Sequence, residues 1–193
     1  MQKEERILWA EEQFAREVTL GVVIQKPLSV FNYLIPGMFI INYLRRGSAI
    51  RQYTKHYLFP RKLAMNASRD LLKGEERALL DSQIAAEIEN WLKALNLYSE
   101  DLAQAQKVVV DLLIEHFRKL LEAEGVNYYD LIENTYKTRN DYMSYIDKLS
   151  SAEKEIDQAI IKKVGPSRKL KEKLRAEEQQ VDMRRKKILE EIF

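Results

Sequence analysis

The sequence predicts an all-α protein: a helical bundle with an apolar, Pro-Gly-interrupted N-terminal segment and a long charged C-terminal helix. Apolar residues recur at three- and four-residue spacing along most of the chain, and capping residues stand where those stripes begin. Six glycines and four prolines in 193 residues leave long stretches with no turn signal, whereas a β-rich fold needs one about every ten residues.

Residues 1–19 read as an amphipathic helix with Ile7, Leu8, Phe14 and Val18 on one side. The apolar run Leu20 to Ile24 is interrupted by Gln25-Lys26-Pro27, and Leu28 to Leu44 follows without a single charge. After Gly47 and Ser48 a basic, aromatic helix runs to about Lys73, with Pro60 as a kink or break and Gly74 as its stop. Residues 20–69 form the second segment of the chain on this reading, apolar and basic.

Residues 75–150 read as a helical bundle. Glu75 and Glu76 open a helix whose stripe is Leu80, Ile84, Ile88, Trp91 and Leu95, since acids are favoured at the positive end of the helix dipole. Ser99 caps a helix carrying Leu102, Ala105, Val109, Leu112, His116 and Leu120 that ends at Gly125. Asn127 caps another, with Leu131, Ile132, Tyr136, Met143, Ile146 and Leu149 facing inward.

The last segment is 151–193. Ser150 to Glu153 fits the capping box S-x-x-E, which predicts a new helix up to the stop at Gly165-Pro166. Beyond it Leu174, Val181 and Ile188 recur every seven residues among charged neighbours, a narrow coiled-coil seam for one partner helix, from another protein or a second copy.

Net charge is only +2, but it is segregated: residues 18–69 hold eight cations and no acid, while residues 1–17 sum to −2 and residues 70–193 to −4. Such asymmetry points to an anionic partner. The absence of cysteine excludes disulfides, thiolate nucleophiles and iron–sulfur ligation. The N-terminus carries five glutamates before residue 18 and no apolar core of a secretory signal, so a cytoplasmic location is expected.

The uncharged run carries the functional expectation. As a straight helix its seventeen residues would measure about 25 Å, short of a hydrocarbon core of about 30 Å. A hairpin bent at Pro36 and Gly37 would instead bring Asn32 and Asn42 to one depth, with Tyr33 and Tyr43 beside them at headgroup level and Phe31 and Phe39 deeper. Lys26 precedes the run and Arg45, Arg46 and Arg51 follow it, which favours return to the cytoplasmic face of an anionic membrane. The helix bearing Lys55, Tyr57, Arg61 and Lys62 would then lie along the lipid surface.

The expected function is therefore a peripheral or monotopic scaffold or adaptor with anionic lipids as partners. The competing expectation is a soluble interaction module that buries the run in its core or in an oligomer interface. Nucleic acid is a third and weaker reading, because the basic block adjoins the most apolar segment and no recognition motif is present. No phosphate-binding glycine loop, nucleophile elbow or Glu-x-x-His pair occurs, so no catalytic residue, metal or cofactor is assigned. His116 beside its apolar stripe reads as a histidine at the edge of the core.

Overall fold

The computed structural model of the protein describes residues 2–25 and 46–193. Among them are seven helices and no strand: α1 Lys3–Gln25, α2 Arg46–Leu72, α3 Arg77–Ala94, α4 Glu100–Glu122, α5 Tyr128–Tyr136, α6 Arg139–Val164 and α7 Arg168–Ile192. The chain is the all-α bundle that its periodicity announces.

One hydrophobic cluster draws on every helix, including Ile7 of α1, Tyr53 and Met65 of α2, Ile84 of α3, Phe117 of α4, Ile132 of α5, Leu149 of α6 and Leu174 of α7. Each fully buried side chain of this size contributes about 1.5–3 kcal/mol. All four sequence segments thus contribute to one core. Its centre is the pair α2 and α4; α1 lies against α2, α3 and α6 against α4, and α7 across α1 and α6.

Cross-helix contacts fix the directions. Glu4 meets Arg69 and Glu11 meets Arg61, so α1 and α2 are antiparallel. Glu17 meets Arg184 while the Gln180 side chain lies over Gly21, so α1 and α7 are antiparallel too. Gly21 has no Cβ, and one built there would fall 1.8 Å from the Gln180 amide oxygen. Glu153 on α6 pairs with Arg185 and Lys154 with Glu178, again antiparallel. Tyr53 bonds Glu177, whereas Arg61 and Arg185 share Glu153, which makes α2 and α7 parallel. The C-termini of α1 and α6 and the N-termini of α2 and α7 therefore converge on one end of the bundle.

The caps read from sequence hold at Ser99, which accepts from the Leu102 amide at 3.3 Å, and at Asn127, which forms a full capping box with Asp130. Replacing Ser99 by alanine is expected to cost about 1 kcal/mol in urea unfolding; a loss near zero would mean that water satisfies the end of α4 equally well.

Other boundaries differ. α1 runs through Leu20 to Gln25, because the run holds no proline to end a helix already started. Pro60 neither ends nor divides α2, in which it is buried. The predicted 127–149 helix breaks at Lys137, whose φ is +60°, and Thr138 caps α6 by accepting from the Asp141 amide. Met143 on α6 is exposed rather than inward. The capping-box match at Ser150 to Glu153 starts nothing: α6 passes straight through, and both side chains bond Arg185 instead. The seam of α7 is filled from within, since Leu174 belongs to the core cluster and Val181 and Ile188 pack against it.

Candidate functional site

Eight of the residues assigned to lipid contact or the hairpin bend, Lys26, Phe31, Tyr33, Pro36, Gly37, Phe39, Tyr43 and Arg45, lie outside the described residues. Arg46 begins α2, and Arg51 and Lys55 are exposed within its first turns. Lys62 is exposed as well, but sixteen residues into α2 it stands about 24 Å from that end. Tyr57 and Arg61 are corrections to the surface assignment. Both face the bundle interior, with Arg61 only 3% exposed and its guanidinium 3.4 Å from the centre of the Tyr57 ring.

Arg61 belongs to a buried charged centre. Its Nε donates to Glu11 at 2.7 Å and its Nη2 lies 3.5 Å from Glu153. Glu11 also accepts from the hydroxyls of Tyr57 and Tyr128, each at 3.2 Å. Arg185 grips Glu153 with two nitrogens, at 2.8 and 3.0 Å, and donates to Ser150 at 2.7 Å. Two cations and two carboxylates from α1, α2, α6 and α7 thereby balance. Burial opposes ionisation of Glu153, yet the Arg185 and Arg61 guanidiniums outweigh it and hold the carboxyl below its ordinary range.

Two cavities flank this centre and share Tyr57, Arg61 and Arg185 as walls. The larger, about 540 Å3, is an aromatic cleft between α1, α5, α6 and α7. Trp9, Phe14, Tyr128, Tyr142 and Tyr145 line it, and His116 stands in its wall. The His116 Nδ1 lies 2.7 Å from the Tyr136 hydroxyl and its ring stacks on Tyr145 at 4.2 Å. Burial, reinforced by Lys119 and Arg61, pushes the imidazole down to about 3, so it is neutral. A volume of this order falls in the range of small-molecule pockets.

The smaller cavity, about 90 Å3, lies between α2, α4, α6 and α7. Glu177 enters it and accepts from Tyr53 at 3.0 Å. Burial, then the neighbouring Asp157, raises the Glu177 carboxyl well above its usual range. Asp157 itself is pushed up to about 7, by burial and by Glu153 and Glu178.

The end of the bundle where α1 stops and α2 starts is basic. Arg51, Lys55, Lys163 and Lys171 are exposed there and form no ion pair among the described residues, while Lys162 pairs with Asp101 and Arg168 with Glu172. The cations contributed by α6 and α7 escaped sequence reasoning, although Lys162-Lys163 and Arg168-Lys169 bracket Gly165-Pro166 closely enough to have been noticed as a second basic cluster. No helix among the described residues is long and apolar enough to cross a membrane, and none of their acidic or histidine side chains converge in a group fit to hold a metal ion. Comparison with protein-family models, with curated proteins and with solved structures finds no match to this chain.

Proposed function

We propose that the protein is a peripheral membrane-associated helical adaptor that docks on an anionic leaflet, from the cytoplasmic side, through one end of its bundle. The observation that carries this reading is the antiparallel packing of α1 on α2. It brings the C-terminus of α1 and the N-terminus of α2 to one end of the bundle, so the largely uncharged stretch between Gln25 and Arg46 is bounded by that end on both sides. A single crossing needs its two ends about 30 Å apart on opposite faces; a shallow insertion needs them together.

The surroundings support the same reading. Arg51, Lys55, Lys163 and Lys171 are exposed near the helix termini at that end, and each cation held near an anionic surface contributes about 1 kcal/mol. The aromatic cleft sits toward the opposite end, where Trp9 and Glu191 lie, and there it stays accessible to a cytoplasmic partner.

Flotation with vesicles of phosphatidylcholine alone and of phosphatidylcholine with phosphatidylglycerol tests the proposal. The full chain is expected to float with the anionic vesicles, less so as salt rises. Because two exposed cations contribute about 2 kcal/mol together, the Arg51→Ala/Lys55→Ala double variant is expected to bind about thirtyfold more weakly while keeping its helix content. A chain that stays with the buffer at low salt, as a monodisperse oligomer without detergent, would instead favour the soluble interaction module with the apolar run buried between copies.

A further inference from the structure

We infer that the 90 Å3 cavity between α2, α4, α6 and α7 is a binding site for a small aliphatic ammonium, with a short diamine as its best-fitting occupant. The site is independent of the membrane-docking end and of the charges proposed to act there.

Gln106 is the first observation. It lines the cavity from α4, is 1% exposed, and neither its amide oxygen nor its amide nitrogen has a hydrogen-bond partner among the described residues. A buried, unpaired amide is costly, and native structures keep few of them. A donor inside the cavity that it lines would satisfy its oxygen.

Charge is the second. The cations lining the cavity are Arg61, Arg185 and Lys154, and each already has a carboxylate: Glu11, Glu153 and Glu178 respectively. That leaves Glu177 with no cation, Asp157 with only a share of Lys154, which is bound to Glu178, and Asp182 exposed at the rim. Burial and neighbouring acids raise both Asp157 and Glu177, as expected of carboxyls with too little positive charge around them in a poorly solvated space, and an entering cation would favour their ionised forms.

Size and geometry narrow the class. A water-sized position requires about 10–15 Å3, so the cavity holds roughly six to nine of them, close to the six heavy atoms of 1,4-diaminobutane. A bare metal ion is disfavoured, since the acids here do not converge as a ligand group. An extended cation can reach separated carboxyls one at a time, and its remaining N–H groups can meet the Gln106 oxygen. Anions are disfavoured by the same excess of acid.

Isothermal titration of the full chain at pH 7.5 with 1,4-diaminobutane is the test, with 1,4-butanediol as the uncharged control of equal length. Saturable binding by the diamine is expected, and none by the diol. Asp157→Asn and Glu177→Gln should each weaken binding at least tenfold. Both variants keep the shape of the neutral acid and are expected to fold, which circular dichroism checks. Gln106→Leu should weaken it comparably. Absence of saturable heat, equal binding of the diol, or wild-type affinity in both carboxyl variants would overturn the assignment and leave water as the occupant.

Discussion

Replacing Glu153 by alanine is expected to destabilise the protein by about 3–5 kcal/mol, the cost of stranding a buried charge. Glu153 holds Arg185 through both of its oxygens and lies 3.5 Å from Arg61, and neither arginine can reach water easily. Ser150 alone cannot compensate Arg185, because a hydroxyl carries no charge. Urea unfolding at pH 7 measures the loss. The same principle predicts that removing both charges, in Glu153→Leu/Arg185→Met, recovers most of it, since a well-packed apolar pair often matches a buried ion pair. A double variant as unstable as Glu153→Ala would show that Ser150, Arg61 and the surrounding shape depend on this pair for more than charge balance.

The second large effect is on pH dependence. His116 has a folded-state position of about 3 against an ordinary 6.5. The unfolded chain therefore binds a proton that the folded chain refuses between those values. Stability from this group is present in full above pH 6.5 and is lost as pH falls toward 3, by an amount on the order of 4–5 kcal/mol. Asp157 and Glu177 act in the opposite sense, because their folded positions are raised and their contribution fades as pH increases. The histidine part is isolated by difference. Unfolding of the wild type and of His116→Phe, followed from pH 4 to 7, should show the wild type gaining on the variant as pH rises. Parallel curves would mean that the folded imidazole takes up its proton as readily as the unfolded one.

Legibility in the sequence divides along a physical line. Helix existence and most caps depend on neighbours within four residues, so Ser99, Asn127 and Gly165 could be read directly. Which residue faces the core depends on neighbours far along the chain. Arg61 was placed at a lipid surface because it lies in a basic block, yet it falls on the helical stripe of Tyr53, Tyr57, Ala64 and Ser68, all buried. Glu11 falls likewise between Ile7 and Ala15, and Arg185 between Val181 and Leu189. A charged residue landing inside an apolar stripe was the available signal for an internal ion pair. The Ser150 to Glu153 match failed for the complementary reason: both side chains had a distant guanidinium to satisfy, and the motif cannot disclose one.

The arrival of the α1 C-terminus and the α2 N-terminus at one end of the bundle has an energetic consequence for the stretch they bound. Joining two helix ends that lie at one end of a bundle carries a closure entropy that grows by only about 0.6 kcal/mol for each doubling of the connection's length. Lengthening the connection between Gln25 and Arg46 is therefore expected to change the closure cost of the fold by a fraction of a kcal/mol per added residue pair, far less than the loss of one buried side chain.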